Sequence, residues 1–283
     1  MPQNSAANAP IGVFDSGIGG LSVLAALREE LPDEHFVYIG DAGHAPYGER
    51  DTAHVLQRSQ RLAEYLCKTH QAKALVLACN TATAAAVSNL RAHYPSMPIV
   101  GIEPAIKPAA AQSASGVVAV MATRSTLASD KFLTLLKAQP QSVHFLLQAC
   151  DGLAAAIEGA EHQKIESLSQ DYVNALRRRP EGGPSIDTVV LGCTHYALIS
   201  DTLSRLWGPQ VTLLEAGQPV ARRTRQVLES AAMVRKATTA QASGQDQRPL
   251  ICLSTGDPSI LNQALHDWHI GSPAVHASGL HLP

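Results

Sequence analysis

Short apolar runs alternate with longer stretches of helical spacing along most of this chain. Ile11–Phe14, His35–Gly40, Ala74–Ala78, Ile99–Ile102, Val117–Met121, Val143–Leu147, Val189–Leu191, Val211–Leu214 and Ile251–Ser254 read as strands. Runs this short and apolar fit strands buried on both faces. Asp51–His70 instead spaces Val55, Leu56, Leu62, Tyr65 and Leu66 as one face of a helix. Helices are likewise predicted over Leu21–Leu31, Ala105–Gln112, Asp151–Ala160, Ile165–Arg179, Pro219–Lys236 and Pro258–Trp268, and from strand ends to Tyr94, Ala138 and Trp207. Residues 1–10 read as a flexible polar extension, and Ala237–Gln247 as a polar mobile loop. The alternation predicts an α/β protein with largely parallel sheets.

Two stretches repeat one pattern. Ala74–Thr83, ALVLACNTAT, runs from an apolar strand into Cys79-Asn80-Thr81 and then into small helix formers. Thr188–Ala197, TVVLGCTHYA, does the same through Cys193-Thr194-His195. A weaker echo links Ile11–Gly20 with Val117–Thr126, in the same order and at nearly the same offset. Two similar α/β lobes are therefore expected, each presenting a thiol at its binding edge; if the lobes face each other, both thiols face one cleft. The first lobe is expected over residues 1–103, the second over 104–213, with 214–283 returning to complete the first.

Composition adds limits. The chain has 283 residues, 45% apolar and 16% charged, enough for one large or two ordinary lobes. A net charge of −2 gives no electrostatic case for nucleic acid or a membrane surface. Five cysteines, odd in number and without CxxC spacing, argue against a disulfide framework. The start, MPQNSAANAP, has no basic n-region and no apolar h-region, so no secretory signal is expected. No apolar run reaches membrane-span length. A cytoplasmic location is the expectation.

The chemistry concentrates at strand ends. In open α/β sheets ligands bind beyond the C-terminal ends of strands. A cysteine there, next to a helix N-terminus, sits where negative charge is favoured. Asp15-Ser16-Gly17-Ile18-Gly19-Gly20 is a tight turn, but its glycines do not make a GxGxxG nucleotide signature. Asp15 could equally be a helix cap. The loop after Asp41 carries Pro46-Tyr47-Gly48, which could hold a carboxylate or be a plain turn. Cys79, Cys193 and His195 could supply three zinc ligands, although no usual zinc spacing is present. A lone nucleophilic cysteine with a histidine base would leave the second copy unexplained. Two thiols facing one cleft suit proton removal on one face of a carbon and return on the other.

Together these motifs resemble the glutamate racemase family. The resemblance is carried by Val13–Gly20, Tyr38-Ile39-Gly40-Asp41 with Pro46-Tyr47-Gly48, Ala78-Cys79-Asn80-Thr81, Thr123 with Thr126, Leu191–Tyr196 and Ser254-Thr255-Gly256-Asp257. It covers roughly residues 11–269 in order. It implies two α/β lobes with the active site in the cleft between them, and a cofactor-independent and metal-free interconversion of L- and D-glutamate by Cys79 and Cys193, supplying D-glutamate for the cell wall. It further implies that Asp15 assists Cys79, and that His195 and Glu158 assist Cys193. Substrate contacts are implied for Asp15, Ser16, Tyr47, Gly48, Asn80, Thr81, Thr123, Thr126, Thr194 and His195. The family often forms dimers, so a homodimer is an open expectation. Cys67, Cys150 and Cys252 read as structural. The chain departs from the family at Asp151-Gly152, Ala154-Ala155, Ala197 and Glu215-Ala216-Gly217. Aspartate racemase is the neighbouring alternative, although Thr194-His195 favours glutamate. A racemase fold retained as a binding module is the other.

Overall fold

Strand β1 (Ile11–Asp15) is buried along its whole length, because sheet neighbours flank it and helices cover both faces. It pairs in parallel with β2 (Phe36–Gly40) and β3 (Ala74–Leu77), in register from Ile11 opposite Phe36 and Ala74. Strand β4 (Ile99–Gly101) extends the sheet beyond β3. The computed structural model describes residues 7–178, 184–235, 250–270 and 275–282. The predicted loop Ala237–Gln247 lies outside them. So do residues 1–6 of the predicted extension. Ala7 and Asn8, by contrast, are tied down: their carbonyls accept from Lys73 Nζ at 2.6 Å and Arg235 Nη1 at 3.1 Å.

The second sheet repeats the plan. Its central strand β5 (Val117–Ala122) lies between β6 (His144–Ala149) and β7 (Thr188–Leu191), with β8 (Thr212–Leu214) beyond β7. The order β6-β5-β7-β8 is that of β2-β1-β3-β4, and every pairing is parallel. The sequence echoes are thus echoes of topology. Strands β9 (Leu250–Ser254) and β10 (Ala277–Gly279) add to the first sheet beyond β2.

Helices cover both faces of both sheets, as parallel strands require. In the first sheet, alternate residues of β1 point to opposite sides. Ile11 and Val13 join α1 (Leu21–Glu30), α11 (Gly217–Ser230) and α12 (Pro258–Asp267) on one side. Phe14 joins α2 (Thr52–Thr69) and α3 (Asn80–His93) on the other. In the second sheet, Val118 and Val120 pack on α4 (Ile106–Gln112) and α6 (Asp130–Lys137). Ala119 and Met121 pack on α7 (Leu153–Glu158), α8 (His162–Arg177) and α10 (Ser200–Trp207).

Two predicted helices are broken. The stretch after β5 divides into α5 (Arg124–Ala128) and α6, because Ser129 turns extended and caps Phe132 N at 3.2 Å. The stretch after Cys193 divides into α9 (Thr194–Ala197) and α10. Strand β10 was not expected from the sequence. Among the described residues no helix is long and apolar enough to cross a membrane.

Candidate active site

Both cysteines occupy one structural position. Cys79 follows β3 and caps α3 with extended backbone, φ −126° and ψ 123°. Cys193 follows β7 through Gly192 and precedes α9, with φ −139° and ψ 135°. Both side chains are buried.

The surroundings of the two sulfurs differ. Cys79 Sγ accepts the N–H of Ala82 at 3.4 Å and lies 3.9 Å from Ser16 Oγ. Burial pushes its thiol well above the ordinary cysteine value, and the Asp15 carboxylate adds to this. The Ala82 N–H opposes the rise. Asp15 is itself fully buried and accepts the Gly20 N–H at 2.5 Å. Burial raises its pKa, against the opposing charge of His195.

Cys193 Sγ lies 3.8 Å from His195 Nδ1. The opposite nitrogen, Nε2, is 2.6 Å from Glu158 Oε2. That same oxygen accepts the N–H of Ile18 at 3.0 Å, from the turn after β1. Burial alone would lower the His195 pKa. Its hydrogen bonds to Cys193 and Glu158 outweigh burial and hold it well above the usual histidine value. Glu158 is the last residue of α7, so the second lobe hands a carboxylate across to the first.

Hydroxyls line the junction. Thr81 Oγ1 lies 3.2 Å from Thr123 Oγ1 and 3.5 Å from Thr126 Oγ1, which bonds Thr123 at 2.9 Å. Thr123 also caps α5. Thr194 is buried at the start of α9, and its carbonyl accepts from Ser22 Oγ at 3.5 Å. Asn80 is buried with an Oδ1 that has no partner, an unfilled acceptor beside Cys79. At three places the first lobe meets the second backbone-first. A Cβ on Gly17 would come within 2.3 Å of Glu158 Oε1, one on Gly19 within 2.4 Å of His195 Nδ1, and one on Gly48 within 2.7 Å of Thr123 Cγ2. A crevice of about 810 Å³ opens between α2–α3 and α5–α6 and reaches this junction at Thr81. The two cysteines do not line it.

Tyr47 is placed differently from what its loop position suggests. Its hydroxyl is buried and donates to Asp41 Oδ2 at 2.5 Å, so the phenol is already engaged. Asp41 and its partner Arg58 are a buried feature that sequence reasoning missed. The signal existed: Arg58 falls on the same helical stripe as Val55, Leu62 and Leu66, where a charge needs a partner.

The other three cysteines are free thiols. Cys67 touches Met97 Sδ at 3.7 Å, and Cys150 donates to Gln148 O at 3.6 Å. Burial pushes Cys252 up to about 12. Among the described residues, no group of three His, Cys, Asp or Glu is arranged to hold a metal ion.

Known proteins resemble this chain in sequence and in fold. The family model described as Asp/Glu/hydantoin racemase matches residues 11–224. A glutamate racemase from Ectopseudomonas mendocina is 46% identical over 85% of this chain and 91% of its own length. One from Stutzerimonas stutzeri is 40% identical over 91% and 92%. Among solved structures, a Bacillus anthracis glutamate racemase isoform superposes with a TM-score of 0.82, at 28% identity over 97% of this chain and 98% of its own. The Escherichia coli glutamate racemase, solved with L-glutamate and the activator UDP-MurNAc-ala, gives 0.78 at 29% identity over 97% and 99%. With matched residues reaching from β1 into α11, the chain belongs to the Asp/Glu/hydantoin racemase family.

Proposed function

We propose that this protein is a glutamate racemase using two cysteines as acid and base, with no cofactor. The observation that carries this reading is the equivalence of Cys79 and Cys193. Each follows the same strand of the same four-strand plan and stands at the N-terminus of the helix that follows. A planar carbanion between them can be protonated from either side. In this reading Cys79 removes the α-proton of D-glutamate and Cys193 that of L-glutamate.

The two sides obtain a thiolate by different means. A protonated His195, held by Glu158, places positive charge beside Cys193 sulfur. Cys79 has no such cation. Burial and Asp15 favour its thiol form, ready to act as the acid. It becomes a base once the substrate ammonium supplies a countercharge or Asp15 accepts the proton. Asn80 Oδ1, without a protein partner, is available to the ammonium. Ser16, Asn80, Thr81 and Thr194, with N–H groups near Gly48, bind the α-carboxylate and hold the charge that develops there. Tyr47 contributes through its backbone, since its hydroxyl is taken.

We assign residues 1–103 and 214–283 to the first lobe and 104–213 to the second. The pairing of β9 with β2, and the packing of α4 on β5, support this division. The product D-glutamate serves peptidoglycan synthesis, which sets the site of action in the cytoplasm.

The test is turnover in heavy water with glutamate and aspartate as substrates. Each glutamate enantiomer should give early product carrying deuterium at Cα, with unreacted substrate still protiated. Cys79→Ser and Cys193→Ser should each lose about 100- to 10,000-fold in racemisation. Aspartate turnover without glutamate turnover, or a Ser variant at wild-type rate, overturns the reading.

A further inference from the structure

The loop that carries Tyr47 and Gly48 is pinned from beneath by a buried charge. Asp41, at the end of β2, is fully buried and its carboxylate has four donors. Arg58 on α2 grips it through Nε to Oδ2 at 3.0 Å and Nη2 to Oδ1 at 2.9 Å. Tyr47 donates to Oδ2 at 2.5 Å, and Thr255, just after β9, to Oδ1 at 2.7 Å. Thr255 Oγ1 also accepts the Gly43 N–H at 3.2 Å. A carboxylate offers about four lone-pair positions, and here all are filled. Asp41 therefore has no acceptor capacity left for a ligand. The loop these bonds fix nevertheless ends where Gly48 meets Thr123 of the other lobe.

Such a pair is costly to bury, and a neutral apolar substitute would often serve stability as well. What the ion pair adds is geometry. The guanidinium fork fixes both carboxylate oxygens, and the carboxylate then fixes the tyrosine hydroxyl. We propose that Arg58 is a positioning residue for substrate binding: through Asp41 and Tyr47 it sets the Gly48 backbone against Thr123, where the α-carboxylate of glutamate is held. The inference rests on the racemase reading above. Arg58 touches neither sulfur, so its effect falls on binding more than on proton transfer.

Arg58→Lys keeps the charge and loses the fork. It should raise KM for both glutamate enantiomers about tenfold, the loss of one charge-assisted hydrogen bond, while kcat changes by less than about threefold. Tyr47→Phe removes the hydroxyl alone and should raise KM by a smaller factor. If Arg58 acts through Tyr47, the double variant raises KM by less than the product of the single effects. Backbone hydrogen exchange over residues 42–50 should accelerate in Arg58→Lys with or without turnover. A wild-type enzyme inactive on glutamate refutes the racemase reading, and the exchange measurement still decides the pinning. An active wild type whose folded Arg58→Lys form keeps its KM, its loop exchange, or both overturns this inference. Multiplicative effects in the double variant also overturn it. Should Arg58→Lys fail to fold, Tyr47→Phe and Thr255→Val replace it, and unchanged KM in both overturns the inference equally.

Discussion

Replacing Glu158 with Gln changes one charge and almost nothing else. Oε2 of Glu158 lies 2.6 Å from Nε2 of His195 and accepts the Ile18 N–H at 3.0 Å. The amide oxygen of Gln can accept both bonds, so shape and lobe contact survive. What is lost is the countercharge for the imidazolium. A hydrogen bond with a charged partner contributes about 1.5–3 kcal/mol and a neutral one about 0.5–1.5, a difference of about 1–2 kcal/mol. At about 1.4 kcal/mol per factor of ten, kcat/KM should fall about 5- to 30-fold. Enantiomers have equal free energies in water, so their equilibrium constant is unity. The fall in kcat/KM must therefore be the same in both directions, although kcat and KM may divide it differently. The pH dependence gives an independent reading. If His195 acts as proposed, wild-type activity should fall on the alkaline side as pH rises through the elevated His195 pKa. Without the carboxylate that pKa drops, and the alkaline limb moves to lower pH. Stability follows the same sign. The folded pKa of His195 is raised, so the pair's contribution is full below the unfolded value of about 6.5 and is lost as pH rises through the folded value. The assay is circular dichroism of each enantiomer from neutral to alkaline pH, with unfolding measured alongside. A Gln variant with wild-type kcat/KM and an unmoved alkaline limb refutes the role given to Glu158.

Asp187 predicts acid behaviour. Burial raises its pKa, but hydrogen bonds from Ser113 Oγ, Ser115 N–H and Thr188 Oγ1 outweigh that and hold it at about 2. Its stabilising contribution is therefore present above the unfolded value of about 3.9 and is lost as pH falls through the folded one. Asp187→Asn should flatten the acid limb of urea-unfolding free energies, and an unchanged limb counts against the assignment. Leu24→Ala, at a fully buried site under α11, should cost about 2–5 kcal/mol in the same measurement. A cost below that range would show that the helix pair collapses around the gap.

Legibility in the sequence followed the range of the interactions. The strand–cysteine–helix units were readable because they are local: an apolar run, a polar junction and helix formers lie within ten residues. The doubled topology was readable because the same local unit recurs. The break at Ser129 was written in a Ser-Asp pair that starts a helix, but the apolar spacing continues across it and hides the signal. Strand β10, Ala-Ser-Gly, has no strand character of its own and pairs because β9 offers it an open edge. Glu158 sits in a segment that departs from the family pattern. Its partner on the other lobe is a backbone N–H 140 positions away, and a backbone N–H leaves no mark in the sequence. Arg58 is masked by the apolar spacing around it, and shows only when the charge sharing that stripe is asked for a partner.

Gly19 and Gly48 make the seam between the halves of the molecule a seal of bare main chain. At these two points the main chain lies too close to His195 and Thr123 to take a side-chain methyl without a shift. A carbanion without a cofactor is short-lived, and its fate depends on whether the nearest proton belongs to a thiol or to solvent. On the two-cysteine reading, the tightness of the seam should set how faithfully the proton comes from the intended face. A methyl group added at either glycine would act as a shim, holding the halves apart by a fixed amount. A pair of such variants would give a graded leak, in which solvent label reaches the unreacted enantiomer in proportion to the gap.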